Sequence, residues 1–202
     1  MIKNAFIFLG TLLVAACGRT YSPISPAGPD ATESSTINST VPLAQLAHNG
    51  FSFNALVSGA PTGSVAIGGG GSYDVSANAI NGGGSFRCID PVLQGPLSIS
   101  LNPNDPGACG AGEGTRWNVG QFLASAPFKC VGGAEAGKTG VSSETTVVFR
   151  AEFFREGNGN VASFKAPVIV SLTDIAPDIP GVQNVWIQNV GCGTATILHF
   201  SN

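Results

Sequence analysis

From position 51 onward, apolar and polar residues alternate with a period of two. Phe51, Phe53, Ala55 and Val57 fall on one side of the alternation, and Ser52, Asn54, Leu56 and Ser58 on the other. Val65 and Ile67 repeat the pattern, and Phe86 and Cys88 do so after the glycines at 82–84. Val147, Phe149, Ala151 and Phe153 define one face of a longer run whose other face carries Val148, Arg150 and Glu152. Phe164, Ala166, Val168, Val170 and Leu172 define the next, and residues 183–190 and 194–200 complete the set. Successive side chains of a strand point to opposite faces, so each run predicts a half-buried strand. The Glu-Gly-Asn-Gly-Asn segment at 156–160 predicts a hairpin loop between two of them.

Helical spacing is confined to residues 117–126, where Val119, Phe122 and Leu123 predict one short helix, and to a turn at 43–48. Proline and glycine punctuate the remainder. The predicted fold class is all-β: a single antiparallel β-sandwich or barrel over residues 43–202, with at most one or two short helices. Residues 90–114 are rich in turn residues and hold one cysteine, which predicts a long loop pinned by a disulfide.

The first residues follow a different logic. Lys3 precedes an apolar run of about twelve residues, too short to cross a bilayer, which takes roughly 20. The run ends in Val14-Ala15-Ala16-Cys17. This segment resembles the lipobox of a bacterial lipoprotein precursor. The resemblance covers only residues 1–18. It implies a signal peptide at 1–16, cleavage before Cys17, and lipidation of that cysteine, whose thiol is the one nucleophile there able to carry a thioether-linked lipid. In the lipoprotein sorting pattern that this segment resembles, an aspartate at position 18 would favour inner-membrane retention, so Gly18 implies the outer membrane if the cell is Gram-negative. Residues 17–42 hold Pro23, Pro26, Pro29, Pro42 and a Ser/Thr-rich run, and predict a disordered linker between anchor and domain.

Charge narrows the function. Charged residues are 10% of the chain, well below the roughly 25% of typical soluble domains. The net charge is −3 and the cations are scattered singly. Nucleic-acid binding needs clustered cations against phosphates, so nucleic acid is excluded as a partner class. Beyond Cys17 the cysteines are Cys88, Cys109, Cys130 and Cys192. An even number in an exported chain predicts two disulfides, with three pairings open. The similar motifs Phe86-Arg87-Cys88 and Phe128-Lys129-Cys130 favour pairing Cys88 with Cys130. Zinc ligands usually come in closely spaced pairs, which these cysteines lack, so no metal site is predicted.

Candidate chemistry is sparse. The glycine runs at 68–71 and 82–84 lack the lysine and helix of a phosphate loop and read as tight turns or close strand approach. His48 and His199 have no nucleophile motif beside them, and His199 is expected to share a strand face with Ala195 and Ile197. Glu113 and Glu152 are the candidate catalytic pair for a hydrolase acting on a glycan or ester; the plainer expectation is ion pairing with Arg116 and Arg150. Asp174 and Asp178 are too few for a calcium loop. Trp117, Arg116 and Trp186 are the candidate binding residues, since an aromatic face with a polar neighbour suits a sugar ring or a protein anchor. No motif implies a cofactor. The sequence therefore predicts a surface-tethered extracytoplasmic β domain. Its partners are the membrane, through its lipid, and a glycan or another envelope protein. A hydrolase is the alternative.

Overall fold

The computed structural model describes residues 49–59, 63–93, 109–133, 135–155 and 162–202. Ten strands account for most of them. They are β1 (Asn49–Gly59), β2 (Ser64–Asp74), β3 (Ala79–Asp90), β4 (Arg116–Phe122) and β5 (Ser125–Phe128), then β6 (Lys138–Val141), β7 (Thr146–Phe154), β8 (Phe164–Ser171), β9 (Val185–Ile187) and β10 (Gly191–Ser201). Eight of them close a barrel in the order β1-β10-β9-β8-β7-β4-β3-β2, with every neighbouring pair antiparallel. The β5–β6 hairpin stands outside that ring as a separate two-stranded sheet. The all-β expectation is met, and of sandwich and barrel the protein is a barrel.

Alternation decides what lies inside. Phe51, Phe53, Phe86, Trp117, Phe149, Phe153 and Phe164 are buried in one cluster, with Phe200 packed against it. Trp117 stacks on Phe149 at 5.4 Å, and Phe153 on Phe164 at 4.4 Å. An eight-stranded barrel is just wide enough for its own side chains, and aromatic rings fill this one. Tyr73 closes one end, its hydroxyl donating to the Ser143 carbonyl at 2.8 Å. Burial, then the Glu144 charge, push that phenol up to about 12. Ser52, Ser72, Arg87, Asn118, Gln121, Arg150 and Lys165 are exposed on the outer wall. That is the reverse of a membrane-spanning barrel, whose outer band is apolar.

A second buried cluster lies outside the barrel wall. Val148 on β7, Ile169 on β8, Trp186 on β9 and Cys192 on β10 point outward, away from the interior, and are covered by Ala126, Phe128 and Cys130 of the hairpin segment and Ala176 of the following loop. Gly140 lets the hairpin approach closely: a Cβ there would lie 2.6 Å from the Ile169 Cδ1.

Several expectations are corrected by this arrangement. The predicted helix at 117–126 is β4 followed by the start of β5. Pairing runs from Val119 opposite Ala151 to Gln121 opposite Arg150, leaving Gly120 as a bulge. The bulge puts Val119 and Phe122, three residues apart, on the same inward side, which imitates helical spacing. The disulfides are Cys88–Cys109 and Cys130–Cys192, not Cys88 with Cys130. Phe86 and Cys88 face the barrel interior, whereas Phe128 and Cys130 belong to the outer cluster, so the two similar motifs serve different cores. The long loop is pinned by Cys88–Cys109, as expected. His199 does not share a face with Ala195. A bulge at Thr196 turns Leu198 and Phe200 inward, and Ile197 and His199 outward. The predicted turn at 43–48 with His48, the loop 156–160, and the N-terminal segments 1–16 and 17–42 with Cys17 lie outside the described residues.

The glycine runs form no turns. They lie mid-strand, with Gly69 opposite Gly84 and Gly70 opposite Gly83. A Cβ on Gly69 would meet the Trp117 Cζ2 at 2.8 Å, and one on Gly84 the Trp117 Nε1 at 2.8 Å. The missing side chains make room for the indole, whose Nε1 donates to the Gly68 carbonyl at 3.1 Å.

Candidate functional site

The sequence candidates separate in space. Trp117 is fully buried inside the barrel and reaches no surface, which corrects its assignment as a binding residue. Arg116, its neighbour, faces outward, with its guanidinium 4.2 Å from the centre of the Phe154 ring. Glu113 braces the disulfide loop: its Oε2 accepts from the Gly110 N–H at 2.7 Å and lies 3.5 Å from Arg155 Nη1. Glu152 instead pairs with Lys165. Among the described residues no hydrogen bond or ion pair joins Glu113 to Glu152, and their cation partners are Arg155 and Lys165, not Arg116 and Arg150. Asp174 Oδ1 accepts from the backbone N–H groups of Ala176 and Gln183 and ties the covering loop together. No cluster of three or more His, Cys, Asp or Glu among the described residues could hold a metal.

Trp186 has a different setting. The three-residue strand β9 carries it outward, opposite Cys192 on β10. Cys192 is bonded to Cys130, two residues after Phe128. The disulfide therefore clamps the end of β5 over the indole. The Trp186 Nε1 donates to the Lys129 carbonyl at 2.9 Å, and the Phe128 ring lies 5.8 Å away. Between them opens a cleft of about 320 Å³. It is lined by the buried Phe128 and Trp186 and by Pro127, Lys129, Gln188 and Asn189 nearer the surface, and Gly132 and Gly137 add no side chains to it. Trp186 itself is only 4% exposed, so little of its ring is open to a ligand.

The clamp has an ionic part. Lys138 pairs with Glu135 and, at 2.9 Å, with Asp178 of the covering loop. Glu135 Oε2 also accepts from the Val131 N–H at 2.7 Å. Burial pushes the Glu135 carboxyl up, but the hydrogen bonds from Lys138 and from the Val131 and Cys130 backbone outweigh it and hold it below its ordinary range. Hydrogen bonding to Lys138 likewise lowers Asp178, and Lys138 itself is raised by these two carboxylates.

A larger groove, about 540 Å³, crosses the outer wall over β1, β2 and β3 between Asn54, Leu56, Arg87 and Thr196. Size does not make it the better site. Its one aromatic, Phe86, packs inward against Phe153 and Phe164, whereas the Trp186 cleft has two aromatics, Phe128 and Trp186, outside the barrel wall, and specific clefts combine apolar walls with a few placed polar groups. Sequence reasoning found Trp186 but missed Phe128, Lys129 and Gln188. The available signal was the runs Val147-Val148-Phe149, Val168-Ile169-Val170 and Val185-Trp186-Ile187, apolar on both faces. A strand apolar on both faces is covered on both faces. No family model, no curated protein and no solved structure matches this chain.

Proposed function

We propose that this chain is a lipid-anchored extracytoplasmic lipoprotein of the bacterial outer membrane whose barrel presents the Trp186 cleft to another envelope protein. The cleft carries the reading: an apolar floor with a polar rim, held in shape by a disulfide and an ion-pair clamp. That is the form of a pocket that takes one apolar anchor side chain of a partner. The low exposure of Trp186 leaves little ring area for stacking on a sugar, so a protein anchor is preferred to a glycan. The packed interior directs ligand to the outer wall and not to the lumen. Two disulfides suit an oxidising compartment, and the lipobox-like segment supplies the tether.

The test is a photo-reactive residue in place of Gln188, in the full chain exported by cells that carry it, with the same residue at His199 as reference. The reading predicts one discrete adduct from position 188 that is absent from position 199 and reduced about tenfold when Phe128→Ala is added, the loss of roughly 1.4 kcal/mol of anchoring. No adduct, or the same adduct from both positions, contradicts it. Binding of envelope glycan fragments that depends on Phe128 would assign the cleft to a glycan instead.

A further inference from the structure

β9 is three residues long, and this shortness leaves an edge. β10 pairs with β9 only at Gly191, Cys192 and Gly193, while its other side pairs with β1 as far as Ser201. The chain before β9 follows β10 a little further: Asn184 N donates to the Gly193 carbonyl at 3.0 Å, and Ala195 N to Asn184 Oδ1 at 2.7 Å. Beyond Ala195, no strand among the described residues is hydrogen-bonded to that side of β10. In a strand, residues facing one way direct their backbone groups to one side. Leu198 and Phe200 face inward like Ala195, so their N–H and C=O groups point to the open side.

Exposed edges in folded proteins are normally guarded by lysine, proline, inward charge or covering loops. Here residues 191–202 read Gly-Cys-Gly-Thr-Ala-Thr-Ile-Leu-His-Phe-Ser-Asn, without one Lys, Arg, Asp, Glu or Pro. The bulge at Thr196 also sets Ile197 on the outer wall, 58% exposed, two strand positions from Leu56 on β1, which is 55% exposed. An uncharged, β-branched edge beside exposed apolar side chains is a pairing surface.

We propose that the open edge of β10 pairs antiparallel with β10 of a second copy of this chain, about a two-fold axis at Leu198. The strand is its own complement: it carries no charge to repel its copy, and a two-fold interface needs only one self-compatible patch. A chain net charge of −3 adds little repulsion between whole molecules. Pairing at Leu198 joins the two four-stranded sections β3-β2-β1-β10 into one continuous sheet. It places Ile197 of one copy opposite His199 of the other as a non-hydrogen-bonded pair, with Cα atoms about 4.5 Å apart. That separation lies within the range a disulfide spans.

Full-length chain in mild detergent, followed by sedimentation velocity, tests this. Wild type is expected to sediment as a dimer, Ile197→Lys as a monomer, and Val141→Lys, an equally exposed change on β6, as a dimer. Thermal unfolding of all three reports whether the fold survives. The register is tested by mixing an Ile197→Cys chain with a His199→Cys chain under mild oxidation: a linked dimer is expected from the mixture and not from either alone. Monomeric wild type, an Ile197→Lys dimer, or no link in the mixture overturns the proposal. A monomer whose Leu198 and Phe200 amides exchange slowly also overturns it, and assigns the edge to another segment of the same chain.

Discussion

At the scale of single residues, space around Trp117 explains the least ordinary part of the sequence. Seven glycines in two mid-strand runs are costly as strand formers, yet Gly69 and Gly84 are where the indole passes. Gly69 has φ of +152°, a conformation other residues rarely adopt. Gly69→Ala is therefore expected to cost about 1–3 kcal/mol through forced overpacking. Gly137→Ala, where an added Cβ meets nothing within 4 Å, is expected to change stability by less than about 0.5 kcal/mol. Urea unfolding of the two variants checks the contrast; equal losses would mean that both the β3 backbone at Gly83 and Gly84 and the Trp117 ring give way. The tryptophan and the glycines were both legible in the sequence, but their meeting was not. Gly69, Gly84 and Trp117 are brought into one row across the neighbouring strands β2, β3 and β4 by pairing register, and residue types alone carry no register.

Elements were legible where alternation was clean and were lost where it was interrupted. The buried faces of β1, β7 and β8 follow the predicted parity, except that Leu172 lies past the end of β8 and is half exposed; bulges at Gly120 and Thr196 shifted parity and turned β4 into an apparent helix. The β5–β6 hairpin was invisible because its strands are four residues each, too short for a period to register. On β7, Phe149→Ala is expected to cost about 3–5 kcal/mol and Arg150→Ala less than about 0.5 kcal/mol, since Phe149 is fully buried and Arg150 exposed. Denaturant midpoints decide it, and a larger loss at Arg150 would invert the face assignment. The hairpin has its own pH dependence. Glu135 is held below its ordinary value, so its contribution is complete above the unfolded carboxylate pKa of about 4.3 and is lost as pH falls through the lowered folded value. Protection factors of the hairpin amides are expected to fall in that acid range in wild type, and to be low and nearly flat with pH in Lys138→Met.

At the scale of the whole molecule, a barrel with an aromatic interior and a polar wall offers its partners only its outside, its ends and its edges. Two features of that outside stand out, the clamped cleft and the open β10 edge, and both suit a domain held at a membrane surface where partners and copies are concentrated. Tethering is tested at Cys17. Cells fed a clickable palmitate are expected to label the wild-type chain and not Cys17→Ser, and an unlabelled wild type would remove the lipid anchor from the account. The cleft is the central claim, and the two tryptophans report on it separately. In a titration of isotope-labelled protein with N-acetyl-phenylalaninamide, a free apolar anchor, the Trp186 indole N–H resonance should move saturably. The resonance of Trp117, sealed in the barrel, should stay in place. A Trp186 resonance that does not move, or a Trp117 resonance that moves with it, would contradict the assignment of the cleft as the binding surface.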